Sequence, residues 1–300
     1  MGAGHGHGHG HAGARHRWRL AVAFGLVSAF LLVELAAGLW SGSLALLSDA
    51  GHMAADVVAL GAALAATRIA TRPDTTGRRT YGSYRAEVFA SGFTVLVMLG
   101  TAFYVALEAV RRAGRDVEPA TTPMLVVGAL GLLVNLVALA LLRGGATESL
   151  AVKGAYLEVV ADSLGSVGVM AAAALVLVTG QGWWDTVVAV AIALFVAVRA
   201  VVLGREVLTV LGQHAPSGVD PDVVAAELEA MRGVTGVHDL HLWTLTSGMH
   251  VATAHLVADS SSDREAVLDA ARTLLRERHG IDHATVQVET DAAACAELSW

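Results

Sequence analysis

The chain has 300 residues, of which 55% are hydrophobic and only 16% charged, well below the roughly 25% charge of ordinary soluble domains. A formal net charge of −7 argues against a nucleic-acid partner, and a single cysteine, Cys295, excludes an intrachain disulfide framework. These totals point to a chain of which at least half lies in a membrane.

Residues 1–17 hold Gly, His, Ala and Arg after the initiator Met, and cannot bury enough apolar area to fold. This stretch is expected to be a disordered, His-rich tail, either a native metal-capturing segment or an expression tag. No small-residue cleavage site follows a short apolar core, so it does not read as a signal peptide. Six apolar segments follow, at about 18–40, 44–68, 87–111, 122–143, 152–179 and 183–208. Each is long enough at 1.5 Å per residue for a hydrocarbon core of roughly 30 Å. Trp18, Trp40, Trp183 and Trp184 stand at segment ends, where amphipathic rings favour the interface. The expected membrane domain, residues 18–212, is an all-α six-helix transmembrane bundle.

The connections differ in charge. Residues 41–43 and 179–182 carry no Lys or Arg, whereas the 69–86 loop carries Arg72, Arg78, Arg79 and Arg85. Arg15 and Arg17 precede the first segment, and Arg143 and Lys153 flank the fourth connection. The positive-inside rule then puts both termini in the cytoplasm, against the minority vote of Arg111, Arg112 and Arg115. Lys153 is the only Lys, a usage that suits a GC-rich bacterial genome; the expected location is a bacterial plasma membrane.

From His214 the composition changes. Asp220 and Pro221 make an N-cap and first-turn pair, and 221–232 reads as a helix. Residues 237–245 and 249–258 read as strands joined by Thr246-Ser247-Gly248, 263–279 as a second helix and 283–289 as a third strand. The order αββαβ over residues 213–300 predicts an α+β domain, an open-faced sheet with two helices on one side. Residues 214–300 hold 14 acidic and five basic residues, a balance that attracts cations.

Of the 13 His, five lie in the first 16 residues and seven from His214 onward, so His52 alone falls in the hydrophobic half. Ser43-Leu-Ala begins a stretch with His52 and Asp56 four apart, on one face of a helix. Ser149-Leu-Ala begins another, 106 positions on, with Glu158 and Asp162 at the same offsets. Ionisable groups at membrane depth are costly and point to function. If the two helices face each other, His52, Asp56, Glu158 and Asp162 supply four N/O ligands for a divalent transition metal. The bland alternative is an interhelical His–carboxylate contact. Asp49, three before His52, either lines the access path or supports a ligand. Glu34, Asn135 and Glu108 either make interhelical hydrogen bonds or touch metal. In the tail domain His238, His241, His255, His283, Glu289 and Cys295 are further candidates, or surface groups of an acidic domain. His238 and His241, three apart on a strand, are expected on opposite faces.

The stretch Ser43–Asp56 closely resembles the second transmembrane helix of the cation diffusion facilitator family, in its zinc-efflux branch. Arg85-Ala-Glu87, Gly131-Leu-Leu-Val-Asn135, Asp162-Ser-Leu-Gly-Ser-Val167, Val237-His-Asp-Leu-His-Leu-Trp-Thr244 and Thr285-Val-Gln-Val-Glu289 resemble it too, so the likeness runs from residue 18 to 290. It implies six helices, a cytoplasmic ferredoxin-like domain, a homodimer, and metal efflux in exchange for protons. It also favours a metal site of His238, His255 and Glu289 near a dimer contact, with Cys295 joining from the terminus. The family's usual fifth-helix pair is His-x-x-x-Asp, and here it is Glu158-x-x-x-Asp162. Three carboxylates shift preference towards Mn, Fe or Co, while His52 still favours Zn. The loop between the second and third segments has Asp74 but no His, so no metal site is expected there.

The leading expectation is therefore a proton-coupled antiporter that exports divalent cations, Zn2+ first and then Cd2+ or Co2+. The alternatives are an Mn2+ or Fe2+ exporter of the same fold and, in a different class, an intramembrane metalloenzyme. An enzyme would need an open metal position, a general base and a substrate cleft. No spare His, and no Ser or Cys nucleophile beside a base, is evident in the membrane half, so no catalytic residue and no enzymatic activity are expected. A metal sensor, a third class, lacks any catalytic or DNA-reading output.

Overall fold

The computed structural model of the chain describes residues 11–70, 79–115, 118–143, 150–246 and 248–290. It divides into two compact units, 1–65 with 90–204 and 66–89 with 205–300. Six long helices come first: α1 (His11–Ser41), α2 (Leu44–Ala70), α3 (Ala86–Arg112), α4 (Thr121–Leu142), α5 (Leu150–Thr179) and α6 (Trp183–Leu211). Among the described residues, five helical spans are long and apolar enough to cross a membrane: Phe24–Ser41, Ala86–Arg112, Thr121–Leu142, Val159–Thr179 and Trp183–Leu211. The chain has a helical transmembrane region. Helix α1 begins at His11, inside the expected tail. Ala12, Ala14, Arg15 and Arg17 are good helix formers, and extending an existing helix needs no new nucleus.

The first unit is apolar on both sides. Its interior gathers Phe30, Leu44, Leu46, Met53, Val105, Met124 and Val169. Outward faces carry Leu32, Phe103, Leu164 and Leu194, each more than 60% exposed. Bulky apolar surface of that extent is unfavourable in water and suits lipid. Helices α4 and α5 approach closely through small residues. A Cβ on Gly128 would meet the Met170 side chain at 2.8 Å, and one on Gly131 would meet Phe30 and Ser166 at 2.8 and 2.9 Å.

One end of this unit is tied by a single carboxylate. Ser43 caps α2 by accepting from Leu46 N–H at 3.1 Å. Asp185, in the first turn of α6 and fully buried, accepts from Ser43 Oγ at 2.6 Å, Leu44 N–H at 2.7 Å and Ala45 N–H at 3.1 Å. Three otherwise unsatisfied groups at the start of α2 are thus met by α6. Arg112, at the end of α3, donates to Gly42 O at 2.9 Å and lies 3.5 Å from Asp185 and 3.2 Å from Glu108. Glu108 therefore pairs within its own helix, with Arg112 and with Arg111 at 3.8 Å.

In the second unit, α7 (Pro221–Glu229), β1 (Val234–Thr246), β2 (Met249–Ala258), α8 (Arg264–His279) and β3 (His283–Glu289) follow the expected αββαβ order. Asp220 caps α7 by accepting from Asp222 N–H, and Asp263 caps α8 by accepting from Glu265 and Ala266 N–H. Gly280 ends α8 at φ 65°, a left-handed conformation that glycine adopts without strain. The sheet order is β1-β2-β3, with β1 antiparallel and β3 parallel to β2. Val224, Leu228, Val267, Ala271 and Leu275 of the helices bury Leu242, Ala252 and Leu256 on one sheet face.

Candidate metal centre

On α2, His52 and Asp56 lie one turn apart, and Asp162 reaches them from α5. His52 Nδ1 is 3.4 Å from Asp56 Oδ2, and His52 Nε2 is 3.6 Å from Asp162 Oδ1. One ligand atom from each of the three falls within 4.8 Å of the others. The side chains are 2%, 15% and 3% exposed. An imidazole and two carboxylates at this spacing form a cation-sized set of donors. The fourth expected ligand, Glu158, stands on α5 one turn before Asp162, and its side chain lies outside the described residues.

The polar groups around the set sort differently. Asp49 is buried and lies against Glu34 of α1, a pair of carboxyl groups fully enclosed in the bundle. Gly165 makes room for Asp49, since any side chain there would strike its carboxylate. Asn135 is buried with no hydrogen-bond partner among the described residues. The residue that sequence reasoning missed is Arg199. From the middle of α6 its Nη1 comes 3.3 Å from His52 Nε2, and its guanidinium sits 5.9 Å over the Phe195 ring, which also makes a near-perpendicular contact with the His52 ring. The signal was present, because an arginine deep in an apolar helix is as costly as His52.

A second set lies on the sheet face away from α7 and α8. His238, His255 and Glu289 bring one ligand atom each within 4.8 Å of the others. His255 Nδ1 is 2.9 Å and His238 Nε2 3.8 Å from the Glu289 carboxylate, and the two rings meet edge to face at 5.2 Å. Two imidazoles and a carboxylate match the donors that zinc takes in proteins, so this set fits a divalent metal.

The expectation that His238 and His241 face opposite ways fails. Their partners across the antiparallel pair are His255 and Thr253, so three steps on β1 oppose two on β2. The extra residue makes a bulge, with Asp239 at φ 54°. Since residues two apart on β2 share a face, His238 and His241 share it too. Asp239 then sits between two imidazoles, 2.9 Å from His241 Nε2 and 3.8 Å from His255 Nε2. His283 pairs with Val251, four residues from His255, and stacks edge to face on Tyr81 at 5.5 Å, away from the cluster. Cys295 and the first ten residues, with their His repeat, lie outside the described residues.

A helical transmembrane region with a buried imidazole–carboxylate cluster, joined in sequence to a small α+β domain with another, fits a metal-handling membrane protein. The chain belongs to the cation efflux, or cation diffusion facilitator, family. Residues 20–211 match the family model described as the cation efflux transmembrane domain, and 216–291 match that of the cation efflux protein cytoplasmic domain. The metal cation efflux system protein CzcD of Cupriavidus metallidurans is 43% identical over 290 residues, 96% of this chain and 90% of its own. The cadmium, cobalt and zinc/H(+)-K(+) antiporter of Bacillus subtilis is 34% identical over 91% of this chain and 89% of its own. The zinc transporter ZitB of Escherichia coli is 34% identical over 90% of this chain and 87% of its own. By name these relatives are a metal cation efflux system protein, an antiporter and a zinc transporter. Among solved structures, the metal-bound C-terminal domain of the Cupriavidus CzcD transporter is 39% identical, spans 24% of this chain and 99% of its own, and superposes with a TM-score of 0.23.

Proposed function

We propose that this chain is a proton-coupled antiporter that exports divalent transition-metal cations, Zn2+ first and Cd2+ or Co2+ after it, from the cytoplasm of a bacterial cell. His52, Asp56, Glu158 and Asp162 hold the ion. The reading rests on one observation above the others: ligands from α2 and α5, 106 positions apart in the chain, converge inside an apolar bundle. The names of the relatives, which include cadmium, cobalt and zinc antiport, agree with it. The architecture that goes with it is six membrane-spanning helices over residues 18–212, an N-terminal tail at 1–17 whose last residues run into α1, and a cytoplasmic ferredoxin-like domain over 213–300. Both termini are cytoplasmic and the working unit is a homodimer.

Coupling follows from the ligands. A metal binds only deprotonated carboxylates and neutral imidazole, so loading releases protons and proton uptake expels the ion. Exposure to the cytoplasm favours loading, and exposure to a more acidic outside favours release. Movement of helix groups about the mid-membrane site supplies alternating access. The membrane potential adds roughly 2.3 kcal/mol per charge for each 100 mV. In the cytoplasmic domain, His238, His255 and Glu289 would hold a resident Zn2+ that steadies the sheet face, and the N-terminal His repeat would raise the local metal concentration.

Zinc uptake into inverted vesicles, with and without an imposed pH gradient, tests the reading. Flux that rises with the gradient is expected; flux indifferent to it removes the proton from the mechanism. A preference for Mn2+ or Fe2+ is the second reading, carried by the carboxylate majority of the site. In Glu158→His, transport is expected to move towards Zn2+ relative to Mn2+, and an unmoved ratio would refute the selectivity argument.

A further inference from the structure

Arg199 stands where a metal ion would have to go. Its guanidinium carries only donors, so the 3.3 Å contact between Nη1 and His52 Nε2 makes Nε2 the acceptor. A neutral imidazole has one N–H and one lone pair. With the Nε2 lone pair taken by Arg199, the proton is on Nδ1, the nitrogen 3.4 Å from Asp56 Oδ2. Neither nitrogen is then open to a metal. Nε2 is covered by Nη1 at 3.3 Å, and Nδ1 has no lone pair to give. A zinc ion bound about 2.0 Å from Nε2 would compete with the guanidinium for the same lone pair and face a like charge.

The placement of Arg199 is built into the helix. Phe195 is one turn before Arg199, and the guanidinium lies over its ring. The same ring meets the His52 imidazole in a T-shaped contact at 6.0 Å. One aromatic side chain therefore steadies both partners of the contact. Val196 and Ala200, the neighbours of this pair, are fully buried, which fixes the rotation of α6 at this level.

We propose that Arg199 is a tethered competitor for the transported cation: its guanidinium occupies the His52 side of the site when no ion is bound and withdraws for the ion to load. The arginine offsets part of the carboxylate charge of the emptied site, keeps Nε2 of His52 engaged, and prevents the ion from binding too tightly to leave. This inference rests on the reading of His52, Asp56 and Asp162 as the transport site.

The test is Zn2+ uptake by the full-length protein in proteoliposomes under a fixed pH gradient, with KM and Vmax measured separately. In Arg199→Met the competitor is gone, and the apparent KM for Zn2+ is expected to fall roughly tenfold while Vmax also falls, because release slows. Arg199→Lys keeps a charged donor on a flexible stem and is expected to restore most of the wild-type KM. General damage to the bundle lowers Vmax without lowering KM, so the split separates competition from structure. If Arg199→Met does not fold, Arg199→Gln, which keeps the volume and loses the charge, is expected to lower KM in the same direction. A KM unchanged or raised in the folded neutral variant, with His52→Ala inactive, overturns the tethered competitor and leaves the transport site standing. His52→Ala with wild-type KM and Vmax overturns the site assignment, and the competitor with it.

Discussion

The two candidate ligand sets offer the same chemistry in different surroundings. In the bundle, His52 and Asp162 are 2% and 3% exposed; on the sheet face, His238 and His255 are 19% and 22% exposed. Both combine imidazole and carboxylate, and both gather residues distant in sequence. The bundle set adds a guanidinium on a facing helix, while the sheet set adds Asp239 from a bulge. A buried site must neutralise itself when empty, because bare carboxylates in a low-dielectric interior are costly. A site whose imidazoles reach the surface is partly balanced by water and can simply wait for its ion. Burial and an internal counter-charge suit an ion that comes and goes; a rigid strand face suits one that stays.

Substitutions that separate the two sets test this contrast. The largest effect is expected for Asp56→Ala or Asp162→Ala, each lowering zinc flux more than about a hundredfold, beyond the cost of losing an outer partner of a metal site. Glu289→Ala should leave flux within severalfold. Flux preserved in the Asp162 variant, measured in vesicles, would remove the bundle set from transport. Next comes Asp185→Ala, which strands one hydroxyl and two backbone N–H donors and leaves Arg112 one acceptor short. We expect it to cost about 3 kcal/mol, read as loss of thermal stability in detergent; a fall below about 1 kcal/mol would mean water satisfies that end. His255→Ala should weaken zinc binding at the sheet face about tenfold or more by calorimetry, with transport KM little changed. A shift of transport KM as large as the binding loss would join the two sets into one pathway. The smallest effect is that of Asp263→Ala, about 1 kcal/mol from the lost cap of α8, which denaturation of the sheet domain would detect without any change in flux.

Periodicity and spacing carried much of this molecule. His52 and Asp56 one turn apart, their echo after a second Ser-Leu-Ala, the cap at Asp220–Pro221 and the strand at 283–289 are local patterns, and each has a direct structural meaning. Helix α2 begins right after Ser43 and α5 at Leu150, so the two Ser-Leu-Ala signals mark equivalent starts. What escaped depends on contacts across the chain. Arg199 lies 147 positions from His52, and nothing local ties one to the other. Asp185 looks like an interfacial acid at a helix start; its part in closing the end of α2 exists only once α2 and α6 are packed. The bulge at Asp239 reversed a face assignment that rested on strict alternation, which one inserted residue is enough to break. Arg111 and Arg112, which voted against the proposed orientation, are engaged with Glu108 and Asp185.

The carboxylate of Asp185 also sets how the bundle can move. It fastens the first turn of α2 to the first turn of α6, so those two helices are joined near one end like the arms of a pair of tongs. His52 lies eight residues along its arm, about 12 Å from the joint, and Arg199 fourteen along the other, about 21 Å. A swing of about 10° between the arms is nothing at the joint and roughly 2 Å or more at the level of His52, enough to part a guanidinium from an imidazole. The end of the bundle held by Asp185 would then be the still end, and the opening through which an ion meets His52 would widen towards the other.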